Sequence, residues 1–189
     1  MAILYVLFLM SNSLSAFRLG KSFDMLQGAV KGATIEDPIV RICVVVSRLA
    51  RVIYFVYDVI SWTVKAAVIK GDAKSWSVRG APFWFTAILV CLLRDLYEII
   101  SYFRWKFGRE KKLDDAELIV EERNPVSMFV KECPHVAMDT IRNLADVMIP
   151  LNLWGFVDLS QGTIGLLGLV SSICGITELV SPHYKLTPS

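Results

Sequence analysis

Few side chains in this sequence have the types and spacings that catalysis needs. His135 and Asp139 are four residues apart, on one face of a helix, but no nucleophile or third group accompanies them, so we interpret them as surface polarity. Asp58 and Asp95 lie in apolar stretches near basic residues, which predicts ion pairs. No hydrolase, nucleotide-binding or metalloprotease motif occurs. We therefore predict no enzyme and no cofactor.

The cysteines form neither a metal-binding nor a disulfide pattern. They are more than 40 residues apart, without a Cys-x-x-Cys pair, and lie in or beside apolar runs. With two histidines, neither of them near a cysteine pair, we expect no structural zinc site. We predict reduced, buried thiols at Cys43, Cys91, Cys133 and Cys174.

The composition favours a membrane protein. Of the 189 residues 54% are apolar and 20% charged, and the mean hydropathy is +0.52. A soluble domain has about 45–50% apolar residues even with glycine counted, and about 25% charged residues. A chain this apolar can bury enough surface to fold, which excludes disorder.

The net charge of +2 hides an asymmetry. Residues 1–82 carry ten Lys or Arg against five Asp or Glu, whereas residues 83–189 carry ten against thirteen. A moderately basic, apolar first half suits anionic phospholipid headgroups. It lacks the dense cationic patch with stacking aromatics that nucleic acid needs, so we predict no nucleic-acid partner.

The first helix is predicted to be amphipathic. Met1–Met10 is apolar but too short to cross a bilayer. A secretory signal is the alternative interpretation of this run, and its lack of a basic residue counts against that alternative. From residue 14 to 31 bulky residues fall on one face, which predicts a helix that binds lipid or a partner helix; an ordinary core-packing helix is the alternative. The candidate membrane-inserting residues are Ala16, Arg18, Leu19, Lys21, Phe23, Leu26 and Val30.

A second helix is predicted from Pro38, over residues 39–69. Its charges fall within about 120° of the helical wheel, and the rest is apolar. Such a helix should lie along the membrane interface or pack in a bundle whose seam holds the charges. In an oligomer the same stripe could line a pore for small metabolites, our alternative function. The polar stripe is Arg41, Arg48, Arg51, Asp58 and Lys65.

A third helix is predicted to start at Ala81-Pro82, after a polar connector, and to form a membrane helix over 83–107. Arg94 and Glu98 are four residues apart and could pair. The alternative is a surface or bundle helix, because charges inside a membrane are costly.

Beyond it lie a charged linker, 108–133, and a region, 134–189, with two further helices. Residues 134–148 are amphipathic and are predicted to end at Pro150. Residues 163–180 are long and apolar enough to cross a membrane. Their small residues share one face, which predicts close packing of another helix; a glycine-rich helix without such a partner is the alternative. This helix-packing stripe is Gly165, Gly168, Ser172 and Gly175.

Five segments, in order over residues 16–186, resemble the peroxisomal biogenesis factor 11 family, above all its animal alpha and beta members. The first leads the amphipathic helix, two lie in the next two helices and two lie in the last region. They are Phe-Arg-Leu-Gly-Lys at 17–21, Arg-Val-Ile-Tyr-Phe at 51–55, Arg-Asp-Leu-Tyr-Glu-Ile at 94–99, Asp-Thr-Ile-Arg-Asn-Leu-Ala-Asp at 139–146 and Gly-Leu-Leu-Gly-Leu-Val-Ser-Ser at 165–172.

The resemblance implies an integral peroxisomal membrane protein with both termini in the cytosol. It implies promotion of peroxisome elongation, fission and proliferation, self-association, and action upstream of fission adaptors and a dynamin-related GTPase. The family's membrane-remodelling helix corresponds to residues 16–33 here. The apolar run at 1–15 departs from the family pattern. We therefore expect an all-α membrane protein with amphipathic helices, one or two transmembrane helices and an amphipathic first region over 1–82.

Overall fold

The computed structural model describes residues 22–113 and 125–181, and all regular structure in these ranges is α-helical, as predicted. Side chains of residues 110–113 are outside the description. The helices are α1 (residues 22–32), α2 (Pro38–Lys65), α3 (Ala73–Leu113), α4 (Pro125–Glu132), α5 (Pro134–Trp154) and α6 (Gln161–Val180).

Helix α2 begins where the sequence predicts it. The Asp37 carboxylate accepts hydrogen bonds from the backbone N–H groups of Ile39 and Val40, at 2.8 and 3.3 Å, and Pro38 occupies the first turn. The helix ends at Lys65 rather than near residue 69, because Ala67 takes a left-handed conformation with φ 57°.

Helix α3 starts earlier than predicted, at Ala73 instead of Ala81. The Asp72 carboxylate accepts hydrogen bonds from the backbone N–H groups of Lys74 and Ser75, which caps the helix there. Contacts with α2 hold the added turns, since Ser61 Oγ and Ser77 Oγ are 2.8 Å apart. Pro82 therefore lies inside the helix.

Helix α5 continues past its predicted end. Pro150 is buried inside it, and the helix stops at Gly155, whose φ of 87° places it in the left-handed region. The Gly155 N–H then donates to the carbonyls of Leu151 and Asn152. Glycine supports this helix end because it lacks a Cβ.

The predicted charged linker is partly helical. Helix α3 runs on to Leu113, and α4 lies within the linker's second half. Packing explains α4: the Phe129 ring is buried against Tyr102 and Phe103, with ring centroids 5.3 and 5.9 Å apart. Such contacts between distant residues are not visible in local sequence.

The helices pack in a row. Helix α2 packs on α3, α3 on α5, and α5 on both α4 and α6. The α1 backbone lies against α2 near Val44 and Arg48. Within the described ranges this order places α3 and α5 centrally.

The row buries small and polar residues with only a few large apolar ones, and most of its large apolar residues are exposed. Arg94, Asp95 and Asn143 are buried together with several alanines. On α2 the exposed apolar residues recur every three or four positions, along one stripe of the helix. They are Ile39, Ile42, Val46, Leu49, Ile53 and Val56. A soluble domain seldom exposes so continuous an apolar surface, so this distribution fits lipid as the surrounding medium.

Candidate membrane-contacting site

Helix α1 presents its bulky apolar residues away from the other described helices. Phe23 is 73% exposed, Leu26 46% and Val30 68%. These three are the described members of the predicted membrane-inserting face. The other four, Ala16, Arg18, Leu19 and Lys21, lie outside the described residues.

The opposite side of α1 is made of small residues and packs on α2. Gly28, Ala29 and Gly32 are buried. A Cβ placed on Gly28 would lie 1.6 Å from Nη1 of Arg48, and one on Gly32 would lie 2.7 Å from Cγ1 of Val44. The glycines therefore allow close approach of α1 to α2, and the bulky face stays available to lipid.

The predicted polar stripe of α2 lies mostly in the contacts between helices. Arg48 packs against α1, and Arg51 donates through Nη2 to Cys91 Sγ at 3.6 Å. Asp58 borders a cavity of about 30 Å³ that α2, α3 and α5 line. Arg41 and Lys65 are exposed. A pore lined by this stripe in an oligomer stays an untested prediction.

A buried ionic network joins α3 to α5. Arg94 donates through Nη2 to Asp95 Oδ1, at 2.7 Å, and to the Asp139 carboxylate. Asn143 Nδ2 donates to the other Asp95 oxygen at 3.0 Å. The side chains of Arg94 and Asp95 are only 7% and 1% exposed. The hydrogen bonds and ion pairs of the network therefore take the place of the hydrogen bonds to water that these charged groups lose on burial.

This network corrects two sequence interpretations and confirms a third. Arg94 pairs with Asp95 and Asp139, not with Glu98. Asp139 is not mere surface polarity, since it reaches across to α3. Asp95 is ion-paired, as predicted. Sequence reasoning missed the link because residues 94 and 139 are far apart in the chain. The sequence signal that could have suggested the pair is that both residues are charged and lie on otherwise apolar helices.

Polar contacts also tie the remaining neighbours together. Arg142 Nη1 on α5 donates to Glu178 Oε2 on α6 at 2.7 Å, and the Tyr97 hydroxyl on α3 donates to Asp37 Oδ2 at 3.0 Å. In lipid the hydrophobic effect does not drive helices together, because the lipid tails are as apolar as the side chains. Hydrogen bonds between side chains of neighbouring helices therefore help to hold them together.

Glu132 holds α4 to the end of α3. Its carboxylate accepts hydrogen bonds from Lys106 Nζ and from the Tyr102 hydroxyl, both at 2.6 Å. These hydrogen bonds, that from Lys106 foremost, lower the pKa of Glu132.

Helix α6 is the one described helix that is long and apolar enough to cross a membrane. A Cβ at Gly165 or Gly168 would meet nothing within 4 Å, and one at Gly175 would meet only the Arg142 guanidinium at 3.8 Å. Of the predicted helix-packing stripe, Gly165, Gly168 and the exposed Ser172 are thus not in close contact with another described helix, whereas Gly175 lies near Arg142 of α5. Use of the stripe between chains stays a prediction.

The four cysteines carry free thiols. Cys91 and Cys174 are buried, whereas Cys43 and Cys133 are half-buried. The prediction that all four thiols are buried is confirmed for Cys91 and Cys174. It is wrong for Cys43, on a partly exposed face of α2, and for Cys133, which precedes the first turn of α5.

A row of helices with polar contacts inside, apolar stripes outside and one helix suited to crossing a bilayer defines a class, the helical membrane proteins. Comparison with known proteins gives the family. The model of the family "Peroxisomal biogenesis factor 11 (PEX11)" matches residues 10–180, and this chain belongs to that family.

Curated relatives agree with the family match. The chain is similar to peroxisomal membrane protein 11A of Homo sapiens, 33% identical over 90% of this chain and 75% of the relative, and to that of Rattus norvegicus, 30% identical over the same shares. It is 28% identical to peroxisomal membrane protein 11B of Bos taurus, over 90% of this chain and 77% of the relative. No solved structure matches the chain. The resemblance to the animal alpha and beta members is confirmed.

Proposed function

We propose that this protein shapes the peroxisomal membrane, promoting elongation and fission of the organelle by insertion of α1 into one leaflet. The observation that carries the proposal is the division of α1 into a small-residue side packed on α2 and an exposed bulky side, Phe23, Leu26 and Val30. A helix face of this kind enters the headgroup and acyl boundary by about 5–10 Å. Insertion into one leaflet expands that leaflet and favours curvature.

The family supports the organelle and the class of process. Its description names a peroxisomal biogenesis factor, and the relatives are named as peroxisomal membrane proteins. Names of this kind describe a membrane biogenesis protein rather than an enzyme family.

The test is peroxisome shape in cells that express the full chain carrying Leu26→Glu. A carboxylate on the inserting face must be dehydrated on entry into the acyl region, so we expect peroxisome elongation to fall to the level of cells without the protein. Peroxisome length and number, measured by microscopy beside a matrix marker, give the result.

Gln27→Glu is the matched control. Gln27 is exposed on the same helix, and its substitution adds the same charge without replacing a bulky apolar residue. We expect it to leave elongation largely intact. Equal elongation with Leu26→Glu and with the unsubstituted chain, at equal protein level and with both on peroxisomes, would contradict the proposal.

We further propose that the protein acts as a homo-oligomer, beside fission adaptors and a dynamin-related GTPase. The family resemblance and the open positions Gly165 and Gly168 of the α6 stripe support self-association. Co-purification of two differently tagged copies tests it. Gly168→Ile should reduce the recovered second copy, because a branched side chain keeps a second helix at a distance.

A further inference from the structure

A cavity of about 330 Å³ lies where α1, the turn after it and α2 meet. Its volume falls within the range of about 300–1,000 Å³ that small-molecule sites occupy. Lys31 comes from the last turn of α1, Thr34 and Glu36 from the turn, and Arg48 from α2. The cavity is therefore built by the inserting helix together with the helix on which it packs.

Two cationic side chains line this cavity against one anionic side chain. Lys31 and Arg48 carry positive charge, and Arg51 is near enough to Arg48 to add positive potential there. Glu36 opposes them. The Thr34 hydroxyl donates to the Lys31 carbonyl at 2.7 Å, so the donors for an anion are the Lys31 ammonium and the Arg48 guanidinium.

Gly28 sets the position of the Arg48 side chain. A Cβ on Gly28 would lie 1.6 Å from Nη1, 2.7 Å from Cζ and 3.3 Å from Cδ of Arg48, so this side chain crosses the bare backbone of α1. A guanidinium has five N–H donors in one plane, which lets it bind an anion in addition to contacts within the chain. Its fork geometry matches phosphate oxygens.

We propose that this cavity binds a phosphate group, presented by a phosphorylated lipid headgroup or as a free anion. The proposal rests on the proposed function in one respect, namely that α1 lies at the membrane surface. There the exposed polar turn, with Thr34 and Glu36, lies at the depth of the headgroups. Arg48 extends toward it from the apolar α2, as a snorkelling arginine does. A bound headgroup would join α1 to α2.

The test is binding by the purified full chain in neutral detergent, followed by native mass spectrometry and titration. The probes are dioctanoyl phosphatidylinositol monophosphate, dioctanoyl phosphatidylinositol and inorganic phosphate. We expect binding of the monophosphate lipid. Preference for it over inorganic phosphate identifies the lipid headgroup as the source, and equal binding of inorganic phosphate identifies the free anion; both support the site.

Four substitutions test the site. Loss of one charged hydrogen-bond donor should weaken binding about tenfold or more in Arg48→Gln and in Lys31→Gln. Gly28→Ala keeps every charge but displaces the guanidinium, so it should weaken binding comparably. Glu36→Gln removes the repelling carboxylate and should strengthen binding severalfold.

Arg41→Gln is the matched control, because Arg41 is an exposed arginine of the same helix outside the cavity. It should change binding by less than about twofold. Failure of the unsubstituted chain to bind any probe, or equal weakening by Arg41→Gln and Arg48→Gln, would overturn the proposal. Lys31 is exposed, so Lys31→Gln decides the matter even where Arg48→Gln fails to fold.

These outcomes are separate from the fate of the proposed function. Binding in detergent requires no curvature. A chain without the phosphate site but with elongation that depends on Leu26 would keep the proposed function and lose only this inference.

Discussion

Arg94 links α3 to α5 through an ion pair that crosses between the two helices. It neutralises Asp95 of its own helix and Asp139 of the next, and all three side chains are largely removed from water. A buried charge of this kind is tolerated only while its partners remain. The network therefore favours one alignment of the two helices over others.

Arg94→Leu should destabilise the protein strongly. It leaves Asp95 and Asp139 close together without a cation, and loss of one member of a buried pair costs about 3–5 kcal/mol. We expect a lower melting temperature, measured by far-ultraviolet circular dichroism of the detergent-purified chain.

Arg104→Leu provides the comparison, because Arg104 is an exposed arginine on the same helix. Its melting temperature should stay close to that of the unsubstituted chain. Adding Asp139→Asn to Arg94→Leu should restore part of the loss, since one uncompensated carboxylate is removed. Identical melting of Arg94→Leu and Arg104→Leu would exclude a structural role for the network.

At the scale of elements, glycine positions decide how closely helices approach. A Cβ on Gly80 of α3 would lie 2.9 Å from Cβ of Tyr57 on α2, an atom near the backbone that cannot turn away. At Gly108, further along α3, a Cβ would meet nothing within 4 Å. The same residue type thus has different roles at two positions of one helix.

Gly80→Ala and Gly108→Ala should therefore shift stability in opposite directions. Overpacking costs about 1–3 kcal/mol, which exceeds the gain of about 1 kcal/mol from the better helix propensity of alanine. Gly108→Ala receives the gain alone. Thermal unfolding of both variants gives the comparison, and equal stabilisation by the two would show that α2 and α3 do not pack as closely as described.

At the scale of the whole molecule, the fold bears on how many times the chain crosses the membrane. Helix α6 meets the length and hydropathy of a membrane span. The family resemblance implies that both termini face the cytosol, and we propose that they do, which requires an even number of crossings. We propose that the apolar part of α3, residues 83–107, predicted from the sequence to be a membrane helix, supplies the second crossing.

Protease treatment of intact peroxisomes tests this topology. With tags at both ends of the chain, we expect both to be digested without detergent, while a matrix protein stays protected. Protection of one tag would instead leave α6 as a single crossing and place α3 along the surface. Digestion of the matrix marker would signal leaky organelles and call for a gentler preparation.

The sequence by itself determined the helical class, the start of α2, the apolar span of α6 and the family. Each depends on local pattern: periodicity, a cap with proline, a long apolar run, or colinear segments. The pairing of Arg94 with Asp139, the Ser61–Ser77 contact that holds the first turns of α3, and the burial of Phe129 against α3 depended on tertiary structure. Contacts between residues distant in the chain supply the energy for these features, and they can outweigh the local preferences that a sequence displays.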